Sequence, residues 1–301
     1  MDLLHKHRQD FIDAVSYASE KYGMLPEAIE KDYYVTLILK RLSEKLDYIV
    51  FKGGTSLSKC HKVIKRFSED IDITIDRKLS QGQMKKLKKC IKEIAEELEL
   101  QIPNIDNTRS RRSYNRYILE YDSVLSGSND VLKSAVLMET SFAEVSFPTV
   151  VLPVHSYIGD IISEEAPELL QKYMLDSFEM KVQDIDRTLV DKVFAICDYY
   201  LQGKVKRHSR HIYDIYKLLE VVSITDEFVK LIKEVRSERA KTNICPSAQN
   251  ETNISELLKT IIDTNVYKED YDSLTIQLLE EPIDYEIAIE AVRKIAESRI
   301  F

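Results

Sequence analysis

Two aspartates one residue apart are the first side chains whose types and spacing suggest chemistry. They lie in Phe67-Ser68-Glu69-Asp70-Ile71-Asp72-Ile73-Thr74-Ile75. Side chains two apart on a strand leave the same face. A strand here therefore puts Asp70 and Asp72 on one side and Ile71, Ile73 and Ile75 on the other. Roughly 7 Å of backbone separates the acids, and at an effective dielectric of about 20 they repel by about 2 kcal/mol. A divalent cation removes that cost. Mg²⁺ suits it, since this ion binds through one or two carboxylates plus substrate phosphates. Upstream, the apolar run Tyr48-Ile49-Val50-Phe51 leads into Lys52-Gly53-Gly54-Thr55-Ser56. A Gly-Gly turn offers backbone N–H groups where a side chain would obstruct, and the helix opening after it favours anions. Phosphate and metal sites would then adjoin. The Walker spacing Gly-x-x-x-x-Gly-Lys-Ser/Thr is absent, which disfavours a kinase or ATPase of that class. An acidic pair on an edge strand and a Gly-Gly loop each also occur without function; their combination, in this order, is what carries weight.

Those residues need elements to position them. A helix over residues 2–22 shows Phe11, Ala14, Val15 and Ala18 at helical spacing, and a second begins at Pro26, a favourable first-turn residue, and runs to about Leu46. Its Tyr34, Leu37, Ile38 and Leu42 stripe reads as a packing face, while Lys31 and Asp32 are either solvated or turned toward the site. Beyond the aspartates comes a lysine-rich helix, residues 83–100, carrying Lys85, Lys86, Lys88, Lys89 and Lys92. Such a run is ordinarily a solvated face, and its sharper meaning is contact with an RNA backbone. Arg109-Ser110-Arg111-Arg112 then precedes a strand at 114–122, a polar turn at 126–130 and a returning strand at 131–142, an antiparallel pair. On the last of these Glu139 follows four apolar residues. It is either a rim glutamate or a third metal ligand on a strand beside Asp70 and Asp72, with Glu120, Asp122 and Glu144 as competitors for that place. Pro148 and Pro153 mark an irregular stretch, and beyond about Tyr157 the pattern is almost wholly helical. Lys204-Val205-Lys206-Arg207-His208-Ser209-Arg210 forms a basic loop between two of those helices. The division expected is an α/β core with N-terminal helices over 1–156 and a helical lobe over 157–301.

With 301 residues, 44% apolar and 31% charged, the composition is that of a globular protein with ample core. No run of about 18 apolar residues exists to span a bilayer, and the N-terminus lacks a secretory signal pattern, so a cytoplasmic protein is expected. Cys60, Cys90, Cys197 and Cys245 form no Cys-x-x-Cys pair, which suggests neither a zinc site nor a disulfide framework. A net charge of −8 argues against indiscriminate polyanion binding but leaves room for a local basic patch.

Several segments together resemble one family, the AbiEii/AbiGii-type or MenT-like toxin nucleotidyltransferases of the DNA polymerase β-like superfamily. They are Glu30-Lys31-Asp32-Tyr33, Phe51-Lys52-Gly53-Gly54-Thr55-Ser56-Leu57, Arg66-Phe67-Ser68-Glu69-Asp70-Ile71-Asp72, Thr188-Leu189-Val190-Asp191-Lys192 and Arg210-His211-Ile212-Tyr213-Asp214-Ile215. The resemblance implies an α+β fold, a polymerase-β-like mixed sheet with helices plus a helical C-terminal lobe that completes the active-site cleft. It implies that Gly53, Gly54, Thr55 and Ser56 hold the triphosphate, with Lys52 and Ser68 beside them, and that Asp70 and Asp72 bind Mg²⁺. Lys192 would contact the phosphates of an NTP, Asp214 would be a further essential acid, and Arg66 would be either a second cation or an orienter of the aspartates. Asp191 stands where a glutamate is common.

The activity so implied is Mg²⁺-dependent transfer of nucleotides from an NTP to an RNA, the tRNA acceptor end, by the toxin of a toxin–antitoxin pair with a cognate antitoxin as partner. Candidate RNA surfaces are Lys85, Lys86 and Lys89, then Arg111 and Arg112, then Lys206, Arg207 and Arg210. Two alternatives stand beside it: the same chemistry on a protein hydroxyl or a small molecule, and a non-catalytic binding protein on a degenerate transferase fold. Phosphorylation of Ser68, on the face expected for Asp70, would place about two negative charges beside the metal.

Overall fold

The computed structural model describes residues 2–125 and 133–301. The turn expected at 126–130 lies outside them. The chain divides into two compact units, Met1–Cys60 with Glu69–Val182, and His61–Ser68 with Gln183–Phe301.

The first unit is built on a six-stranded sheet of β1 (Ile49–Lys52), β2 (Ile71–Ile75), β3 (Tyr114–Glu120), β4 (Ala135–Val145), β5 (Thr149–Val154) and β6 (Phe178–Gln183). Their order is β3-β4-β2-β1-β6-β5. The sheet is mixed: β1 runs antiparallel to β2 and parallel to β6, while β2 runs parallel to β4 and β3 antiparallel to β4. Its helices are α1 (Arg8–Tyr22), α2 (Pro26–Lys45), α3 (Gly53–Lys59), α4 (Gln81–Glu97), α5 (Tyr157–Glu165) and α6 (Glu168–Lys172). Period-2 alternation sends Ile71, Ile73 and Ile75 of β2 into the core. Ile38 and Leu42 of α2, Ile91 and Ile94 of α4, and Leu119 and Met138 of the sheet meet in one layer. Helix α4 starts two residues earlier than the lysine pattern suggests because Ser80 caps it. The Ser80 hydroxyl accepts from Gln83 N at 3.3 Å while the Gln83 side chain accepts from Ser80 N at 2.9 Å.

Three features differ from the sequence expectation. The stretch around Pro148 and Pro153 is strand β5, at the end of the sheet order, where proline's missing N–H interrupts no inner ladder. Strand β6 lies inside the region that reads as helical, and its pairing of Val182 with Phe51 carries the first unit past residue 157 to Val182. Strand β2 begins at Ile71 and not near Phe67, because Phe67 N donates to Leu278 O at 2.8 Å and Arg66 bridges Leu279.

The second unit packs α7 (Ile185–Leu201), α8 (Arg210–Leu219), α9 (Asp226–Arg239), α10 (Ile254–Asp263), the short α11 (Lys268–Asp270) and α12 (Tyr285–Ser298). Asp191 of α7 accepts from Arg187 and from Arg239 of α9, each at 3.1 Å, and Asp198 accepts from Arg239 at 2.9 Å. Among the described residues no helix is long and apolar enough to cross a membrane, and all four cysteines are buried and unbridged.

Phe51, fully buried on the inner strand β1, should be costly to truncate. Phe51→Ala is expected to lower unfolding free energy by about 3–5 kcal/mol, whereas Val151→Ala, 59% exposed on edge strand β5, should change it by less than about 0.5 kcal/mol. Urea denaturation followed by circular dichroism checks both.

Candidate active site

In the first unit, β1 ends at Lys52 and α3 starts at once with Gly53. Lys52 is the register partner of Asp72 on β2, Asp72 of Glu139 on β4, and Glu139 of Arg116 on β3. Four charged side chains thus form one row across four strands, ordered cation, acid, acid, cation. Gly53 closes against this row. Its φ is +81°, and a Cβ built there would stand 1.9 Å from Asp72 Oδ2 and 2.8 Å from its Cγ. The first glycine is therefore required twice, by its left-handed backbone and by the carboxylate occupying the space of a side chain.

Helix α3 is steadied from α2. Asp32 Oδ1 accepts from Lys59 Nζ at 2.5 Å and Asp32 Oδ2 from Tyr157 N at 3.0 Å, while Lys59 also donates to His155 O at 2.7 Å. Lys31, 3% exposed, pairs with Glu69, the residue before Asp70. Lys31 is buried and Asp32 half-buried, and both tie together the elements that carry the glycine turn and the aspartates. Three consecutive charges in a helix whose neighbours are nearly all apolar was the signal available in the sequence.

Other expected residues fall less simply. Ser56 is fully buried and its hydroxyl donates to Gly53 O at 2.9 Å, which leaves its backbone, along with those of Gly54 and Thr55, on the first turn of α3. Asp70 and Ser68 precede β2, so strand alternation does not by itself place them on the face of Asp72. Among the described residues no three acidic, histidine or cysteine side chains are gathered as a metal cluster, while Glu139 is the register neighbour of Asp72. Its Oε1 lies 3.7 Å from Arg116 Nε, and the Tyr114 phenol, pushed up by burial and by its hydrogen bond to Glu139, is also on it. Tyr114 and Arg116 went unnoticed in the sequence because only strand register brings them to Glu139. The donor set still fits Mg²⁺, which needs no more than one or two protein carboxylates when phosphates supply the rest.

In the second unit, Asp214 of α8 is fully buried. It accepts from the Arg66 fork, Nε to Oδ1 at 2.6 Å and Nη2 to Oδ2 at 2.8 Å, and from Lys192 Nζ at 2.6 Å. Burial alone would raise its pKa, but the charges of Arg66 and Lys192 outweigh burial and hold it well below the usual carboxylate range. Burial pushes the Lys192 ammonium down against the pull of Asp214. His211 Nδ1 lies 3.5 Å from Lys192 Nζ and is kept neutral by burial and by that lysine. The structure therefore brings Arg66, Lys192 and Asp214 together, with Asp214 as their shared counter-ion. Of the basic candidates, Lys85, Lys86, Lys89, Arg111, Arg112, Lys206 and Arg207 are exposed and Arg210 is half-buried. Arg207 N is anchored on Asp270 at 2.6 Å.

A mixed sheet whose strand aspartate is packed against a glycine turn opening a helix is the framework of a nucleotidyltransferase. The family model described as nucleotidyl transferase AbiEii toxin, type IV toxin–antitoxin system, matches residues 37–298. The chain belongs to this AbiEii toxin family. Among solved structures it is similar to MenT4, the nucleotidyltransferase toxin Rv2826c from Mycobacterium tuberculosis H37Rv, at 15% identity and a TM-score of 0.50 over 95% of this chain and 89% of that one, a likeness of fold. No curated protein matches it in sequence.

Two outcomes follow from these geometries. Gly53→Ala should displace the Asp72 carboxylate and cut nucleotidyl transfer by about 100-fold, as expected for an ångström-scale misplacement, with the far-ultraviolet circular dichroism retained. Asp214→Asn leaves two buried cations without their counter-ion and should cost about 3–5 kcal/mol. The folded-state pKa of Asp214 is depressed, so its contribution is complete above the ordinary carboxylate pKa of about 4 and is lost as pH falls below it. Denaturation between pH 7 and pH 3 should show this loss in the wild type and not in Asp214→Asn.

Proposed function

We propose that the chain is a Mg²⁺-dependent enzyme that moves a nucleotide from an NTP to RNA, at the tRNA acceptor end, and so blocks translation until a cognate antitoxin counters it. The observation that carries this reading is the contact of Gly53 with Asp72, which joins a phosphate-type turn to a metal-type carboxylate. Asp70 and Asp72 would hold the metal. Glu139, beside Asp72 in register and also close to Arg116, would be a third ligand. When bound, Mg²⁺ stabilises the attacking and leaving oxygens of an in-line displacement.

The chain's own residues would then act as follows. Backbone N–H groups of Gly53, Gly54 and Thr55, which have no intrahelical partner in the first turn, would face the triphosphate, with the Lys52 ammonium neutralising part of its charge. The acceptor hydroxyl releases its proton to solvent as its oxygen bonds to the α-phosphorus, the bond from that phosphorus to the bridging oxygen breaks, and pyrophosphate departs with its electron pair. In the second unit Asp214 acts as a positioning residue that fixes Lys192 and Arg66.

Incubation with each α-labelled NTP in turn, in a mixture of RNA and protein, tests the acceptor. Label is expected in the RNA fraction, more than about 1,000-fold above that obtained with Asp72→Asn. Label confined to protein or to small molecules would replace RNA as the acceptor, and growth arrest undiminished in Asp70→Ala would end the catalytic account.

A further inference from the structure

The charged row across the sheet ends on β3, and β3 is preceded by the most basic loop of the first unit. Tyr114 and Arg116 share the outer face of β3, alternating with buried Asn115 and Tyr117. Across from them on β4 stand Ser141 and Glu139, and beyond Glu139 stands Asp72. Tyr114 is 49% exposed although it sits beside this acidic row. A large aromatic ring left open at the edge of a site presents a stacking face.

The loop leading to it is held firmly. The Asn115 side chain, itself 4% exposed, accepts from Arg109 N at 2.8 Å and donates to Arg109 O at 3.0 Å. Arg112 N donates to Arg109 O at 3.0 Å. Lys88 of α4 donates to Ile105 O at 3.2 Å and Thr108 O at 2.9 Å, which ties the lysine-rich helix to the base of the loop. Burial, then Arg109, push the Lys88 ammonium down against the pull of Asp106. In a chain of net charge −8, Arg109, Arg111 and Arg112 concentrate positive charge immediately before an exposed ring on the face of β3 that carries Arg116, the register partner of Glu139.

We infer that Arg111, Arg112, Tyr114 and Arg116 form the docking surface for a single-stranded RNA end, with Tyr114 stacking on a base and the cations holding the flanking phosphates. This rests on the proposed RNA acceptor and adds where and in what form that RNA binds. Single strands are bound by a cationic track interleaved with aromatic faces. Duplex RNA keeps its bases stacked inside, so it has no use for the Tyr114 ring. An acidic protein would engage the cations and leave Tyr114 without a role.

The test is fluorescence anisotropy of the full chain with a labelled single-stranded RNA of about 12 nucleotides, a blunt RNA duplex and polyglutamate as competitor, over a range of salt and without NTP. Single-stranded RNA is expected to bind more tightly than the duplex. Arg112→Ala and Arg116→Ala should each lower the slope of log affinity against log salt by about 0.7. Tyr114→Ala should weaken binding about tenfold at every salt concentration, and Tyr114→Phe should retain it. Equal loss in Tyr114→Phe and Tyr114→Ala, unchanged slopes, or polyglutamate competing as well as RNA would overturn the surface. RNA labelling that proceeds with unaltered KM for RNA in these variants would overturn the surface while leaving the transfer reading intact. Binding as described with no label ever reaching RNA would uphold the surface and overturn the transfer reading.

Discussion

The first unit depends on one close approach, a carboxylate set where a side chain would otherwise be. The ideal Cβ position of Gly53 falls 1.9 Å from Asp72 Oδ2, so the strand that carries the acid and the turn that opens α3 can be brought together only at a residue without Cβ. Much of the surrounding construction serves this contact. Antiparallel pairing of β1 with β2 sets Lys52 opposite Asp72. Ile71 and Ile73 anchor the other face of β2 in the core. Asp32 and Lys59 fasten the far end of α3, and Lys31 fastens Glu69.

The second unit is organised by a different expense. Asp214, Arg66 and Lys192 are each less than a tenth exposed, and a buried ion cluster of this kind adds little stability beyond what well-packed apolar groups would give. Its effect is geometric. The bidentate Arg66 fork fixes one edge of the carboxylate and leaves Oδ2 to be shared with Lys192, so the ammonium has one position and not several. Arg66 and Phe67 also draw the segment 61–68 to Leu278 and Leu279, and that draw is why β2 is shorter than its apolar pattern suggests.

How much was legible beforehand follows from which contacts are local. The glycine turn, Asp72 and the helices α1 and α2 are written in spacing and periodicity, and they could be read within a few residues. Segments needing a distant partner could not. Strand β6, with Met180 and Val182 buried, is too brief an alternation to stand out among helices, and β5 is disguised by prolines that only an edge tolerates. The same limit explains Glu139, which was noticed as an acid among apolar residues. Its neighbours Arg116 and Tyr114 became visible only through the β3–β4 register, and they change it from a free carboxylate into one already engaged.

The order of charges across the sheet, Lys52, Asp72, Glu139, Arg116, has a further physical consequence. Two acids side by side on parallel strands repel, and like charges directly opposite destabilise a pair of strands. Here each acid has a cation on its outer side, so the row is nearly neutral as a whole while its centre stays negative. A polyanion approaching that centre meets repulsion unless a divalent cation is present, whereas at the Arg116 end it meets attraction. The arrangement thus keeps a positive end, with the Tyr114 ring beside it, apart from a negative centre, a separation that one cluster of lysines could not give.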